Sequence, residues 1–193
     1  MLALAMAFTV AGCSGSSGDS SKQPASSQPV SEDQSNSSNT DENMSGSGII
    51  ALNGDAIAYE GDGVDVQGNK ATITAPGTYT ITGTLDDGQI AVNVTNGETV
   101  KLQLSNANIT CSDSEPRYIQ EAGDGVISRE EGTENTLTDG SNYTFASGET
   151  EPDAALFSKA DLTIEGSGAL TVNANYGDGI ASRDTLLIKS GDI

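Results

Sequence analysis

Histidine and tryptophan are missing from the 193 residues, cysteine occurs twice, and 8 Lys and Arg stand against 28 Asp and Glu. Each shortage closes a class of chemistry. Without His there is no Ser-His-Asp or Cys-His arrangement and no His-ligated zinc. Cys13 and Cys111 alone cannot build a disulfide framework or a thiolate metal cage. Eight scattered cations cannot form the basic patch that tracks a phosphate backbone, so no nucleic-acid partner is expected. Acid is what the chain has in plenty: its net charge is -20 and its pI near 4.1. Proton transfer would fall to carboxylates, Lys, Arg or Tyr. Hard-metal chemistry, carboxylate chemistry and plain binding stay open.

Long hydrophobic runs are also scarce. The only candidate is Met1 to Gly12 (MLALAMAFTVAG), too short for a bilayer span of about 20 residues but of a length that suits a signal-peptide core. Val10-Ala11-Gly12-Cys13 resembles a bacterial lipobox, in which the signal is cut before the cysteine and a diacylglycerol joins its sulfur. Residues 1–13 therefore read as a lipoprotein signal, with Cys13 the lipidation site and the extracellular face of the membrane the address. One departure is plain: no Lys or Arg precedes Lys22, which places the true start upstream of Met1. Ser14 to Gly48 follows, with 13 Ser among 35 residues and no aromatic. Such a segment buries too little apolar surface to offset chain entropy, so residues 14–48 read as a disordered tether. Its r.m.s. span would be roughly 30–35 Å.

From Ile49 onward the chain is rich in Thr, Val and Ile in runs that alternate at period two. Ala71-Thr-Ile-Thr74, Thr78-Tyr-Thr-Ile-Thr82, Gln89-Ile-Ala-Val-Asn-Val94 and Val100-Lys-Leu-Gln-Leu104 read as strands. So do Asp161-Leu-Thr-Ile164, Ala169-Leu-Thr-Val172 and Leu186-Leu-Ile188. Pro76-Gly77, Asp87-Gly88, Asn96-Gly97 and Asp178-Gly179 punctuate them as turns. No window carries a clean helical period, so residues 49–193 form an all-β domain.

Internal repetition narrows the architecture. Leu156-Phe-Ser-Lys-Ala-Asp-Leu-Thr-Ile164 laid on Ile180-Ala-Ser-Arg-Asp-Thr-Leu-Leu-Ile188 gives one offset of 24. Leu156 falls on Ile180, Ser158 on Ser182, Lys159 on Arg183, Leu162 on Leu186 and Ile164 on Ile188. A 24-residue period without a helix suits one coil of a parallel β-helix. A β-sandwich of short strands is the alternative.

Gly77-Thr-Tyr-Thr-Ile-Thr-Gly-Thr-Leu85, Val100-Lys-Leu-Gln-Leu-Ser-Asn-Ala-Asn-Ile109, Gly132-Thr-Glu-Asn-Thr-Leu-Thr-Asp-Gly140 and Ala154-Ala-Leu-Phe-Ser-Lys-Ala-Asp-Leu-Thr-Ile164 carry a resemblance. In order and spacing they are similar to a family of bacterial surface lipoproteins called carbohydrate-binding-domain-containing. The resemblance covers nearly all of Ile50 to Ile193. It implies a right-handed parallel β-helix related to pectate lyases, binding of cellulose and of acidic sugars such as polygalacturonate, and bound calcium. Two departures stand out. Arg117 and Arg129 occupy positions where core residues are expected, and an unpaired buried guanidinium would cost several kcal/mol. The chain also stops mid-coil at Gly191-Asp-Ile193, which reads as truncation of a longer solenoid.

Stacked coils would set equivalent positions about 4.8 Å apart. By the 24-residue offset Asp153 lies one residue from the place beneath Asp178, and Asp161 one residue from the place beneath Asp184. Two carboxylates so close repel by roughly 3–4 kcal/mol at an effective dielectric of 20, unless they stay solvated, shift a pKa or hold a cation. Hard oxygen ligands favour calcium, with Asn173, Asn175 and loop carbonyls available. The bland reading is that these Asp residues only shape turns. Gly61-Asp-Gly-Val-Asp-Val66 matches a single calcium-binding nonapeptide unit without a neighbour and is better read as a strand with acidic turns. Tyr176, just before Gly177-Asp178, is the candidate sugar-stacking ring. Lys159 and Arg183, one coil apart, form a basic pair beside the acidic turns. The readings are then a lipid-anchored carbohydrate-binding protein with calcium, a polysaccharide lyase using a Lys or Arg base, and an adhesive surface protein without a sugar ligand. A domain carrying -16 should repel a polyanionic pectate unless cations bridge the two.

Overall fold

The computed structural model describes residues 46–145, 147, 148 and 150–193. Cys13 and most of the Ser-rich segment lie outside the described residues. β1 (Gly46–Gly54) begins inside the stretch read as tether, because Gly46 N–H donates to the Pro76 carbonyl at 2.7 Å. Glycine is required there: a Cβ on Gly46 would sit 2.1 Å from the Tyr79 hydroxyl.

Fifteen strands and no helix are described. After β1 come β2 (Ala56–Glu60), β3 (Val64–Gln67), β4 (Lys70–Ile73), β5 (Gly77–Leu85), β6 (Gln89–Asn93) and β7 (Val100–Thr110). β8 (Arg117–Glu121), β9 (Asp124–Arg129), β10 (Glu134–Thr138) and β11 (Ala154–Ser158) follow. β12 (Asp161–Gly166), β13 (Ala169–Asn173), β14 (Asp178–Ser182) and β15 (Leu186–Ile188) complete the set. One sheet runs β15-β12-β9-β7-β5-β1-β2, with β10 bridging β7 and β13; the other runs β14-β11-β8-β6-β4-β3. From β4 to β15 the chain passes back and forth between them, and each return lays its strand parallel to the one before. Only the hairpins β1–β2 and β3–β4 are antiparallel. This parallel pairing is not that of an antiparallel sandwich.

The 24-residue offset is the pairing register. Leu156 pairs with Ile180 and Ser158 with Ser182 on the second sheet; Leu162 pairs with Leu186 and Ile164 with Ile188 on the first. Parallel in-register strands stack like side chains, and that is how period-two alternation becomes a core. Tyr79, Leu102, Ile127 and Ile164 form one inward ladder, and Leu85, Ile109 and Leu137 another; all seven are buried. Tyr79, which could have faced either way by sequence, is fully buried, with its hydroxyl donating to the Ala75 carbonyl at 2.9 Å.

Both arginines do stand in core ladders, without any local flip of the strands. Arg117 follows Ile90 and precedes Leu156 in the second sheet. Arg129 follows Leu104 and precedes Gly166 in the first. One of the two guanidinium groups is left unpaired. Arg117 has no partner for Nε, Nη1 or Nη2. Arg129 donates Nε to Glu165 O at 3.2 Å, Nη1 to Asp192 O at 2.9 Å, and Nη2 to Gly166 O at 3.1 Å and to Ser190 O.

Candidate carbohydrate-binding site

Two strands depart from alternation: β6 is buried at Gln89, Ile90, Ala91 and Val92, and β11 at all five positions. Their outward residues are covered, and what faces that side of the sheet is the longest connection, 139–153 between β10 and β11. Tyr143, Phe145 and Pro152 from this segment and Thr72, Gln89 and Tyr118 from the sheet line a cleft of about 440 Å³. That volume falls within the roughly 300–1,000 Å³ typical of small-molecule pockets.

Aromatic rings gather at its rim. Tyr143 and Tyr176 stack with centroids 4.4 Å apart and planes 14° from parallel. Phe145 lies 5.9 Å from each of them. Asp139, buried at the end of β10, fixes the group. It accepts the Tyr143 hydroxyl at 2.9 Å and the Asn175 N–H, while its own carbonyl accepts Asn175 Nδ2 at 2.8 Å. Burial, then the Asp139 bond, raises the Tyr143 pKa, so the ring stays neutral. Tyr176 keeps 45 % of its surface exposed. Rigid aromatic rings with one wet side are the surfaces that bind amphipathic ligands at low entropic cost.

The inner wall of the cleft is polar. Glu115, only 2 % exposed, accepts Gln89 Nε2 at 2.7 Å and the Ser114 hydroxyl. Burial raises its pKa, against the nearby charge of Lys70 and these hydrogen bonds. Cys111 is 4 % exposed, and its Sγ lies 3.6 Å from Asp113 Oδ1. Burial pushes its thiol up to about 11, so it is no nucleophile at neutral pH.

The residues singled out by sequence fall at three places. Asp153 sits just ahead of β11 and Asp178 opens β14, and Asp178 N–H donates to the Asp153 carbonyl at 3.0 Å. Asp161 and Asp184 sit beyond the other ends of those strands. The four aspartates are thus two pairs at separate corners, and no group of three or more His, Cys, Asp or Glu side chains gathers among the described residues. Asp161 accepts Thr185 N–H at 2.9 Å, which holds its carboxyl below the usual range. Lys159 and Arg183 are one coil apart, Arg183 N–H donating to Ser158 O at 2.9 Å, but their side chains diverge. Lys159 Nζ lies 5.7 Å from the centre of the Tyr118 ring, while Arg183 Nε bonds Glu151. Tyr176 alone of these reaches the aromatic rim. The cleft residues Gln89, Glu115 and Tyr118 were not singled out. Their signals were the unbroken apolar run Ala154-Ala-Leu-Phe157, too apolar for a half-exposed strand, and the aromatic pair Tyr143 and Phe145 in a long loop.

Residues 67–193 match the family model of carbohydrate-binding domain-containing proteins. A carbohydrate-binding domain-containing protein of Acetivibrio thermocellus is 39% identical over 146 residues, 75% of this chain and 51% of that one. The gadolinium derivative of the polysaccharide lyase-like protein from C. thermocellum superposes with a TM-score of 0.72 at 38% identity, covering 75% of this chain and 59% of that chain. The chain spans about half the length of the first relative and under two thirds of the second. With more than half of its residues inside the family model, the chain belongs to the carbohydrate-binding domain-containing protein family.

Proposed function

We propose that the chain is a lipid-anchored protein of the extracellular membrane face that binds plant cell-wall polysaccharide, cellulose or an acidic sugar such as polygalacturonate, with calcium assisting. In this reading the two sheets are walls of a right-handed parallel β-helix, Cys13 carries the lipid, and residues 14–48 supply reach. The observation that carries it is the rim: Tyr176, 45 % exposed, held flat against Tyr143 beside a polar cleft. Family membership and the lyase-like neighbour support the ligand class.

The donor chemistry at the two aspartate corners fits calcium. Asp153 and Asp178 at one, and Asp161 and Asp184 at the other, offer hard oxygens. Two carboxylates are short of the six to eight ligands calcium takes, which leaves positions for water and for sugar oxygens. Calcium supplies charge neutralisation between a chain of -20 and an anionic glycan. Gadolinium, present in the similar solved structure, takes the same hard oxygen donors.

Retention on insoluble cellulose and on pectate, each with and without chelator, tests the reading. Binding to at least one, with the pectate share lost in chelator, is expected; no retention on any glycan would favour an adhesive role. A lyase is the second reading, favoured by the lyase-like neighbour. It would need Lys159 or Arg183 as the base, yet Arg183 is tied to Glu151 and Lys159 stands over Tyr118. Ultraviolet absorbance of unsaturated uronides appearing from polygalacturonate would establish it.

A further inference from the structure

We propose that the cleft between the second sheet and segment 139–153 is a subsite for an uncharged sugar ring, separate from the calcium-dependent recognition of acidic glycan at the aspartate corners. This rests on the carbohydrate-binding reading above and divides it in two.

Charge comes first. Asp87, Asp113 and Glu115 line the cleft with Lys70, while a second cation, Lys159, stands over the ring of Tyr118. Asp87 is engaged internally, accepting Ser112 N–H at 2.9 Å and the Ser112 hydroxyl at 3.0 Å, so its side chain is fixed in place and not free to turn away. A uronate would bring its own carboxylate into this surplus of acid in a partly enclosed space, where like charges are least screened. A neutral pyranose meets no such penalty.

Hydrogen-bonding capacity comes second. Hydroxyl groups both donate and accept, and the walls present both functions: Gln89 and Gln120 amides, the Thr72 and Thr144 hydroxyls and the Lys70 ammonium. Gln89 is held by its Nε2 bonds to Glu115 Oε1 at 2.7 Å and Glu115 O at 3.1 Å, which orients its Oε1 as an acceptor. Thus Glu115 positions a reader of hydroxyls and is itself too buried to be one.

Stacking comes third. Tyr118 points outward from β8, half-buried, with Phe157 6.0 Å away and the Lys159 ammonium on its ring, while Tyr143 and Phe145 face the cleft from the other side. A pyranose ring has the same two chemistries, apolar faces and a polar edge, and a cleft with aromatic sides and an amide wall matches both.

Titration of the full chain with cellotetraose and with tetragalacturonate in excess chelator, followed by tyrosine fluorescence and calorimetry, tests the division. Cellotetraose is expected to bind, and tetragalacturonate is expected not to compete. Tyr118→Ala should weaken cellotetraose about tenfold, the ratio that follows from losing one aromatic contact. Gln120→Trp, on an exposed side chain, should block the cleft while leaving the melting temperature unchanged. Tetragalacturonate competing as well as cellotetraose without calcium would overturn the proposal, as would wild-type affinity in Gln120→Trp. Absence of cellotetraose binding would also overturn it, and if pectate retention with calcium persists, the broader carbohydrate-binding reading survives that failure.

Discussion

Arg117 and Arg129 stand on consecutive strands, β8 and β9, each turned into the core of its own sheet and each no more than 1 % exposed. Their surroundings decide opposite outcomes. Above Arg129 in its ladder is Gly166, at φ +96 with no side chain. Its missing Cβ makes room for the Arg129 backbone, and Gly191, where a Cβ would lie 2.3 Å from Nη2, makes room for the guanidinium, which reaches the carbonyls of Glu165, Gly166, Ser190 and Asp192. The planar fork of donors suits several carbonyls at a corner. Arg117, the first residue of β8, lies between Ile90 and Leu156 in its ladder, and no carbonyl comes within reach of its three nitrogens. Both stand at strand ends, so a buried guanidinium is held by the carbonyls that converge on it and not by its place in the strand.

The largest effect that would break this comparison is a gain. Arg117→Leu replaces an unpaired buried cation with an apolar residue that matches Ile90 and Leu156, and should stabilise the fold by about 1–4 kcal/mol in urea unfolding. A loss would mean that the guanidinium has a partner in solution. Arg129→Leu should act in the other direction, by about 2–3 kcal/mol, since carbonyls at the corner lose charge-assisted donors and cannot all reach water. Equal signs for the two variants would end the distinction between an unpaired and a carbonyl-bound guanidinium.

Much of this was legible in the chain itself. Period-two runs gave the strands, and the offset between Leu156 and Ile180 is the register of β11 on β14. The misfit of both arginines with an apolar strand pair was visible as well. Their partners were not, because Arg129 is satisfied by backbone 36 to 63 residues away, and no side-chain pattern encodes a carbonyl. The cleft was hidden for a related reason. It joins β6 and β8 to a loop that follows β10, and only the fold brings Gln89 beside Glu115, 26 residues apart. Acidic pairs one coil apart were readable from the period, but which ends of β11 and β14 they occupy needed the strand bounds.

A smaller effect sharpens the contrast through pH. Burial pushes Arg117 down from an arginine's 12.5 to about 9. Between these values the unfolded chain holds a proton that the folded chain has released, so stability gains up to about 1.4 kcal/mol per pH unit as pH rises. Below about 9 both forms are charged and the burial penalty is present in full. Burial raises Tyr79 to about 12, which removes stability over part of the same range, so the measure is wild type minus Arg117→Leu. That difference should shrink from pH 8 to pH 11, taken as roughly the span around the folded value. A constant difference would show that Arg117 is not titrating in the fold.

The finest probe is Arg129→Lys. Lysine keeps the charge and the stem but offers three donors from one atom, whereas the arginine serves four carbonyls from three nitrogens spread in a plane. The shorter lysine should keep the carbonyl bonded nearest the stem, that of Glu165 on Nε, and release Ser190 and Asp192, which the outer nitrogens reach. The expected loss is about 1 kcal/mol, less than for leucine. It should also be local. Leu170 N–H donates to Asp192 O at 3.0 Å and Lys189 N–H to Ile164 O at 2.9 Å, so amide exchange at Leu170 should quicken more than at Lys189. If the lysine variant loses as much as the leucine one, the planar fork and not the charge is what the corner requires, and Arg117, with a fork but no carbonyls, differs from Arg129 in its partners alone.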